Sequence, residues 1–205
     1  MSKKCAKIHK MFSSKKRYFF LYKDNNIPLN GIYILYEKGE FGHSTDRIVR
    51  IGTHTGTDQL CSRLKEHFVK ENKDRSIFRK NIGRALLNKR RDPFLKQWDI
   101  DLTTTAAKNK YSELGDPDKQ YQIEKLVSRY IQDNFSFVVI EIKDKDKRLD
   151  LESKLISTVS LCEECKLSAK WLGQFSPKVK IRESGLWQIN GLYGTLLSDE
   201  DIKLL

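Results

Sequence analysis

The chain predicts an α/β fold of the α+β kind, with three short strands and four helices in a single domain of 205 residues. Two observations carry this. Three runs rich in β-branched and aromatic residues, GIYILYE at 31–37, RIVRIG at 47–52 and FSFVVIEI at 135–142, have strand length, and the loop of Gly, His, Ser and Asp between the first two suits an antiparallel pair. Between and after these runs, apolar residues recur at helical spacing in four segments.

The elements follow in chain order. The N-terminal stretch KKCAKIHKMFSSKKRYFF mixes bases with aromatics and suits an arm along a nucleic-acid groove, with Tyr18, Phe19 and Phe20 packing on the core. After the strand pair, Leu60, Leu64 and Phe68 mark a helix that Thr57 or Asp58 can cap. A basic helix spans 76–91, with Ser76 as its cap and Pro93 just beyond its end. Residues 99–116 lack periodicity and predict a surface loop. Ile123, Leu126, Val127, Tyr130 and Ile131 give a helix over 118–132, and LDLESKLISTVSL gives a final long one over 149–161. The expected domain is thus a 31–161 core with an insertion near 92–133, a basic extension at 1–30 and a second extension at 162–205, where Trp187 and Leu192 pack.

The net charge of +12 is concentrated in two segments. Residues 1–30 hold eight Lys/Arg against one acid, and residues 63–91 hold eleven against three, whereas the rest is near neutral. Charge that repels itself is concentrated where a polyanion meets it, which points to nucleic acid; an acidic protein partner is the alternative. On the basic helix and just before it, Arg75, Arg79, Lys80, Arg84 and Lys89 are placed to follow backbone phosphates. No apolar run approaches the roughly 20 residues that cross a bilayer, and the N-terminus lacks the apolar stretch of a secretory signal. A cytoplasmic protein with no membrane partner is expected. Of four cysteines, only Cys162 and Cys165 in CEEC have ligand-like spacing, and with no second pair downstream they read as ordinary reduced thiols. His43 and His54 read as loop decoration.

Two helices place polar groups among apolar ones. Glu152 lies about 100° around its helix from Leu151, inside the arc of Leu155, Val159 and Ile156. A carboxylate there needs a partner or a cation, unless its place in the first turn leaves it in reach of water. On the helix after the strand pair, His67 lies within the apolar stripe and Arg63 borders it, so both can face Tyr33 across the sheet. A histidine so placed is either a hydrogen-bonded structural residue or a reactive one.

GIY at 31–33, RIG at 50–52, SRLKEH at 62–67 and LESKLI at 151–156, in this order and spacing, resemble the GIY-YIG nucleases over roughly residues 28–160. The resemblance implies a small antiparallel three-stranded sheet flanked by helices, and a metal-dependent endonuclease cutting double-stranded DNA to leave 5′-phosphates. It implies Tyr33 as the residue that holds or deprotonates the water, Arg63 on the scissile phosphate, His67 as acid, base or phosphate ligand, and Glu152 as ligand of one Mg²⁺ or Mn²⁺. A member without a separate DNA-binding module is similar to restriction or defence enzymes, and a palindromic target would favour a homodimer.

The chain departs from the family twice. Arg50 stands where a second tyrosine is usual. A phenol ordinarily titrates near 10, so a cation beside Tyr33 would favour phenolate; the same replacement would also suit a catalytically inactive, binding-only module. The family's late asparagine is missing from SPKVKI at 176–181, leaving Asn190 as the nearest candidate.

Overall fold

The protein is described here by a computed structural model covering residues 2–111 and 116–205. In chain order its main elements are α1 (Ser2–Ser13), β1 (Tyr18–Phe19), β2 (Gly31–Gly42), β3 (Thr45–Gly52), α2 (Leu60–Phe68), α3 (Ile77–Lys89), α4 (Leu95–Trp98), α5 (Thr105–Tyr111), α6 (Pro117–Asn134), β4 (Phe135–Glu141), α7 (Lys145–Ser160), α8 (Val179–Ser184) and α9 (Asp199–Lys203). The α/β reading holds, with four strands in place of three. The sheet is antiparallel throughout, in the order β1-β4-β2-β3. The added strand is only two residues long, too short to leave an alternation in the sequence.

Each sheet face is covered by helices. Tyr33, Leu35 and Val49 point to a core built with Leu64, Phe68, Phe78, Ile82 and Val127 from α2, α3 and α6. Ile32, Ile34, Ile48 and Ile51 point to a second core with α1 and α7. The odd separation of Ile48 and Ile51 is reconciled by a β-bulge, where pairing steps from Leu35↔Arg50 to Tyr36↔Ile48. The bulge leaves Arg50 opposite Leu35, on the α3 side, with its guanidinium carbon 5.3 Å from the Phe78 ring.

β3 is an exposed-edge position in the sheet order, and the C-terminal extension covers it. The Trp187 N–H donates to Val49 O at 2.7 Å, and the Ile51 N–H donates to the Gln188 side-chain oxygen at 3.0 Å. Buried Glu37 ties the same extension down, accepting from the indoles of Trp171 and Trp187 at 2.7 Å each. Trp187 is fully buried, as its packing reading requires.

Three further expectations are corrected. The N-terminal segment is a helix, not an arm along a groove, because Cys5, Ile8 and Phe12 form an apolar stripe with no exposure. Residues 105–111 within the expected 99–116 loop are helical, and residues 112–115 of that loop lie outside the described residues. The basic helix α3 is buried on most sides, and three of its bases are internal. Arg79 has no exposure and pairs with Glu124 at 2.8 Å; Lys80 and Arg84 are each 6% exposed and pair with Asp74 and Asp99. These three do not reach an external phosphate. Arg75 and Lys89 are exposed. No helix among the described residues is long and apolar enough to cross a membrane.

Candidate active site

The catalytic candidates gather where β2 begins and β3 ends: Tyr33 and Arg50 stand on those strands, Arg63 and His67 on α2, and Glu152 midway along α7. Tyr33 pairs with Gly52 across β2 and β3, and its ring lies over that glycine. A Cβ at position 52 would stand 2.2 Å from the Tyr33 hydroxyl oxygen, so only glycine leaves the phenol this path. The hydroxyl then meets His67 Nε2 at 2.7 Å. On its other side, His67 Nδ1 lies 2.7 Å from Ser76 Oγ, which also accepts from the Arg79 N–H as the cap of α3. Ser76 was identified from sequence as a cap; its second contact with the ring was not.

His67 is fully buried, and burial first, then the charges of Arg50, Arg63 and Arg79, holds its pKa well below the ordinary 6.5. The imidazole is therefore neutral at pH 7 and can take a proton. Protonating His67 in the fold places a charge in its buried site and is opposed, whereas the unfolded chain binds a proton readily below 6.5. Stability is thus fully present above 6.5 and falls as pH drops beneath it, by up to about 1.4 kcal/mol per pH unit. Chemical denaturation between pH 7 and 5 is expected to show a shallower decline for His67→Gln than for the unaltered chain.

Arg63 is the cation beside the phenol. Burial opposes its charge, but Tyr33 and Glu66 more than offset this and raise its pKa. One guanidinium nitrogen donates to Glu66 at 2.8 Å and to the Arg75 carbonyl at 3.1 Å. Arg63 lines a polar cleft of ≈ 300 Å³ together with Thr53, His54 and Ser62. Arg50 instead turns toward the C-terminal extension, donating to Trp187 O at 2.5 Å, and its charge acts on His67 and Glu152.

Glu152 sits in the first half of α7, half-buried, in a neighbouring cleft of ≈ 400 Å³ with Arg50, Asn81, Gln188 and Asn190. Burial raises its pKa; the charges of Arg50, Arg63 and Arg148 oppose that through space, as does the backbone of Thr53. The Asn81 side-chain N–H₂ is buried without a partner at this cleft. The Gln188 amide oxygen accepts from the Ile51 N–H and that of Asn81 from Arg84, so the hard donor that this cleft offers Mg²⁺ or Mn²⁺ is the Glu152 carboxylate, and it fits such an ion. Asn190, a weak candidate by sequence, shares this cleft.

The GIY-YIG domain family matches residues 4–198, nearly the whole chain. The chain belongs to the GIY-YIG family. This makes it a nuclease domain of a family that acts on DNA and generally depends on a divalent metal. No curated protein and no solved structure matches the chain. The GIY-YIG match extends into both extensions, so the N-terminal helix and the strand-covering tail belong to the same family unit as the motif strands. Gln188, Asn81 and Thr53 were not singled out by sequence, since isolated polar residues carry no spacing.

Proposed function

We propose that the protein is a metal-dependent endonuclease that hydrolyses phosphodiester bonds of double-stranded DNA at specific sites, in the manner of restriction or defence enzymes. The observation that supports this best is the buried contact of Tyr33 with His67 at 2.7 Å, beside Arg63, whose charge also acts on Glu152. In the tautomer with its proton on Nδ1, His67 accepts from the Tyr33 hydroxyl. Tyr33 holds the attacking water and passes a proton toward neutral His67. Arg63, permanently charged, takes the non-bridging oxygens of the scissile phosphate, where its fork-shaped donors match the charge developing in the transition state. Arg50, anchored on Trp187 O, keeps positive charge near Glu152 and His67. Glu152 would hold one Mg²⁺ or Mn²⁺, which when bound serves as a Lewis acid for the leaving oxygen.

DNA contacts fall to exposed bases. Arg75 adjoins Arg63, whose guanidinium binds its carbonyl, and Lys89 lies at the far end of α3. In salt titrations of DNA binding, Arg75→Ala is expected to reduce the slope of log K against log salt by about 1, while Arg84→Ala leaves it unchanged.

A second reading, DNA binding without cleavage, rests on Arg50 in place of the second tyrosine. Plasmid and phage DNA incubated with Mg²⁺ or Mn²⁺ separate the two. Discrete fragments with 5′-phosphate ends support the nuclease; tight binding with intact DNA under both metals supports the second reading.

A further inference from the structure

A second cluster of reactive side chains lies on the opposite sheet face from Tyr33. Cys5 on α1, His43 in the β2–β3 turn, and Cys162 and Cys165 after α7 come from three distant parts of the chain. Cys5 Sγ lies 3.5 Å from Cys165 Sγ, and His43 Nε2 lies 3.2 Å from Cys162 Sγ. Ligand atoms of Cys5, His9, His43 and Cys165 all fall within 4.8 Å of one another, and Cys162 joins this group through His43. Tetrahedral zinc, with Zn–S of about 2.3 Å and Zn–N of about 2.0 Å, needs sulfur–sulfur and sulfur–nitrogen edges of about 3.5–3.8 Å. The Cys5–Cys165 and His43–Cys162 pairs are already close to those edges. We propose that Cys5, His43, Cys162 and Cys165 bind one structural Zn²⁺ that clamps α1 and the C-terminal extension to the β2–β3 turn.

The surroundings fit a ligand set. The Glu164 carboxylate stands 3.5 Å from His43 Nδ1, the outer partner that leaves Nε2 free to face the thiols. His9, although adjacent, has both ring nitrogens taken by backbone: Nδ1 lies 3.0 Å from Cys5 O, and Nε2 accepts from the Ile48 N–H at 3.2 Å. It buttresses the site rather than completing it. Three soft thiolates and one imidazole select zinc over the hard cation suited to Glu152, and four protein ligands leave no open position for catalysis. In this proposal the CEEC pair finds its other half upstream, in Cys5 and His43.

The test uses the full chain purified without chelator. Elemental analysis is expected to give about one zinc per chain, and growth with Co²⁺ to give a green-blue protein with a thiolate charge-transfer band. Zinc content is expected to fall at least about fivefold in His43→Ala and Cys165→Ser and to be unchanged in Glu152→Ala. The cobalt spectrum needs no variant, so misfolding of a substituted chain does not mask the answer. Metal-free protein that is folded, or loss of two titratable thiols to a Cys5–Cys165 disulfide, would overturn the proposal.

Discussion

Glu152→Ala is expected to lose at least about 10³-fold in single-turnover DNA cleavage while keeping the wild-type fold and DNA affinity. Glu152 is the carboxylate of the ≈ 400 Å³ cleft, and the other long polar side chains there are Arg50, Asn81, Gln188 and Asn190. With it gone, no carboxylate of that cleft remains to hold a cation against Arg50. The fold should not suffer, because burial already raises the Glu152 pKa and the arginines act on it only through space. Its removal relieves a desolvation cost, so the thermal midpoint is expected to correspond to a change of about 1 kcal/mol or less. DNA affinity is kept because the phosphate-facing bases remain. In the unaltered chain the same raised pKa predicts that cleavage climbs with pH as Glu152 ionises, since only the carboxylate can hold the ion. Cutting at the wild-type rate by Glu152→Ala would remove this residue from the site.

Arg79→Ala is expected to lose about 3–5 kcal/mol of stability, roughly 10 °C or more in thermal midpoint. Arg79 is fully buried and joins three helices: it donates to the His67 carbonyl at the end of α2 at 3.1 Å, to Glu124 on α6 at 3.1 and 2.8 Å, and to Ser128 Oγ at 2.8 Å. Truncation leaves buried Glu124 with the Lys73 N–H but without its paired cation, although burial already raises its pKa despite the arginine. It also loosens the turn that carries His67, so activity should fall with stability. Arg75→Ala on the adjoining exposed turn should change stability by no more than about 0.5 kcal/mol. Equal denaturation midpoints for the two variants would show that the Arg79 pair contributes nothing.

That pair also shows where sequence reading stops. The motif strands, Tyr33, Arg63, His67, Glu152 and the Ser76 cap were legible because local periodicity and spacing put them on defined faces. The bases of α3 were misread because charge alone does not say which side chains meet acids from elsewhere. Glu124, inside the apolar stripe of α6, was the one local sign that a base must be buried with it. Helix α1 was legible in principle, through Cys5, Ile8 and Phe12 at helical spacing, but its mix of bases and aromatics pointed to an arm along a groove. The Cys/His cluster was not, since its side chains are brought together by the β2–β3 turn, α1 and the segment after α7 on one sheet face, and no short motif spans them. The bulge that aims Arg50 depends on pairing register, which one strand cannot reveal alone.

The central claim is that Tyr33, supported by His67 and Arg63, handles the attacking water. The most direct measurement is single-turnover cleavage by Tyr33→Phe at saturating DNA and Mg²⁺, beside the wild type and with both folds checked by thermal melting. The account predicts a rate lower by about 10²- to 10⁴-fold with unchanged DNA affinity. Cleavage by Tyr33→Phe at the wild-type rate would contradict it.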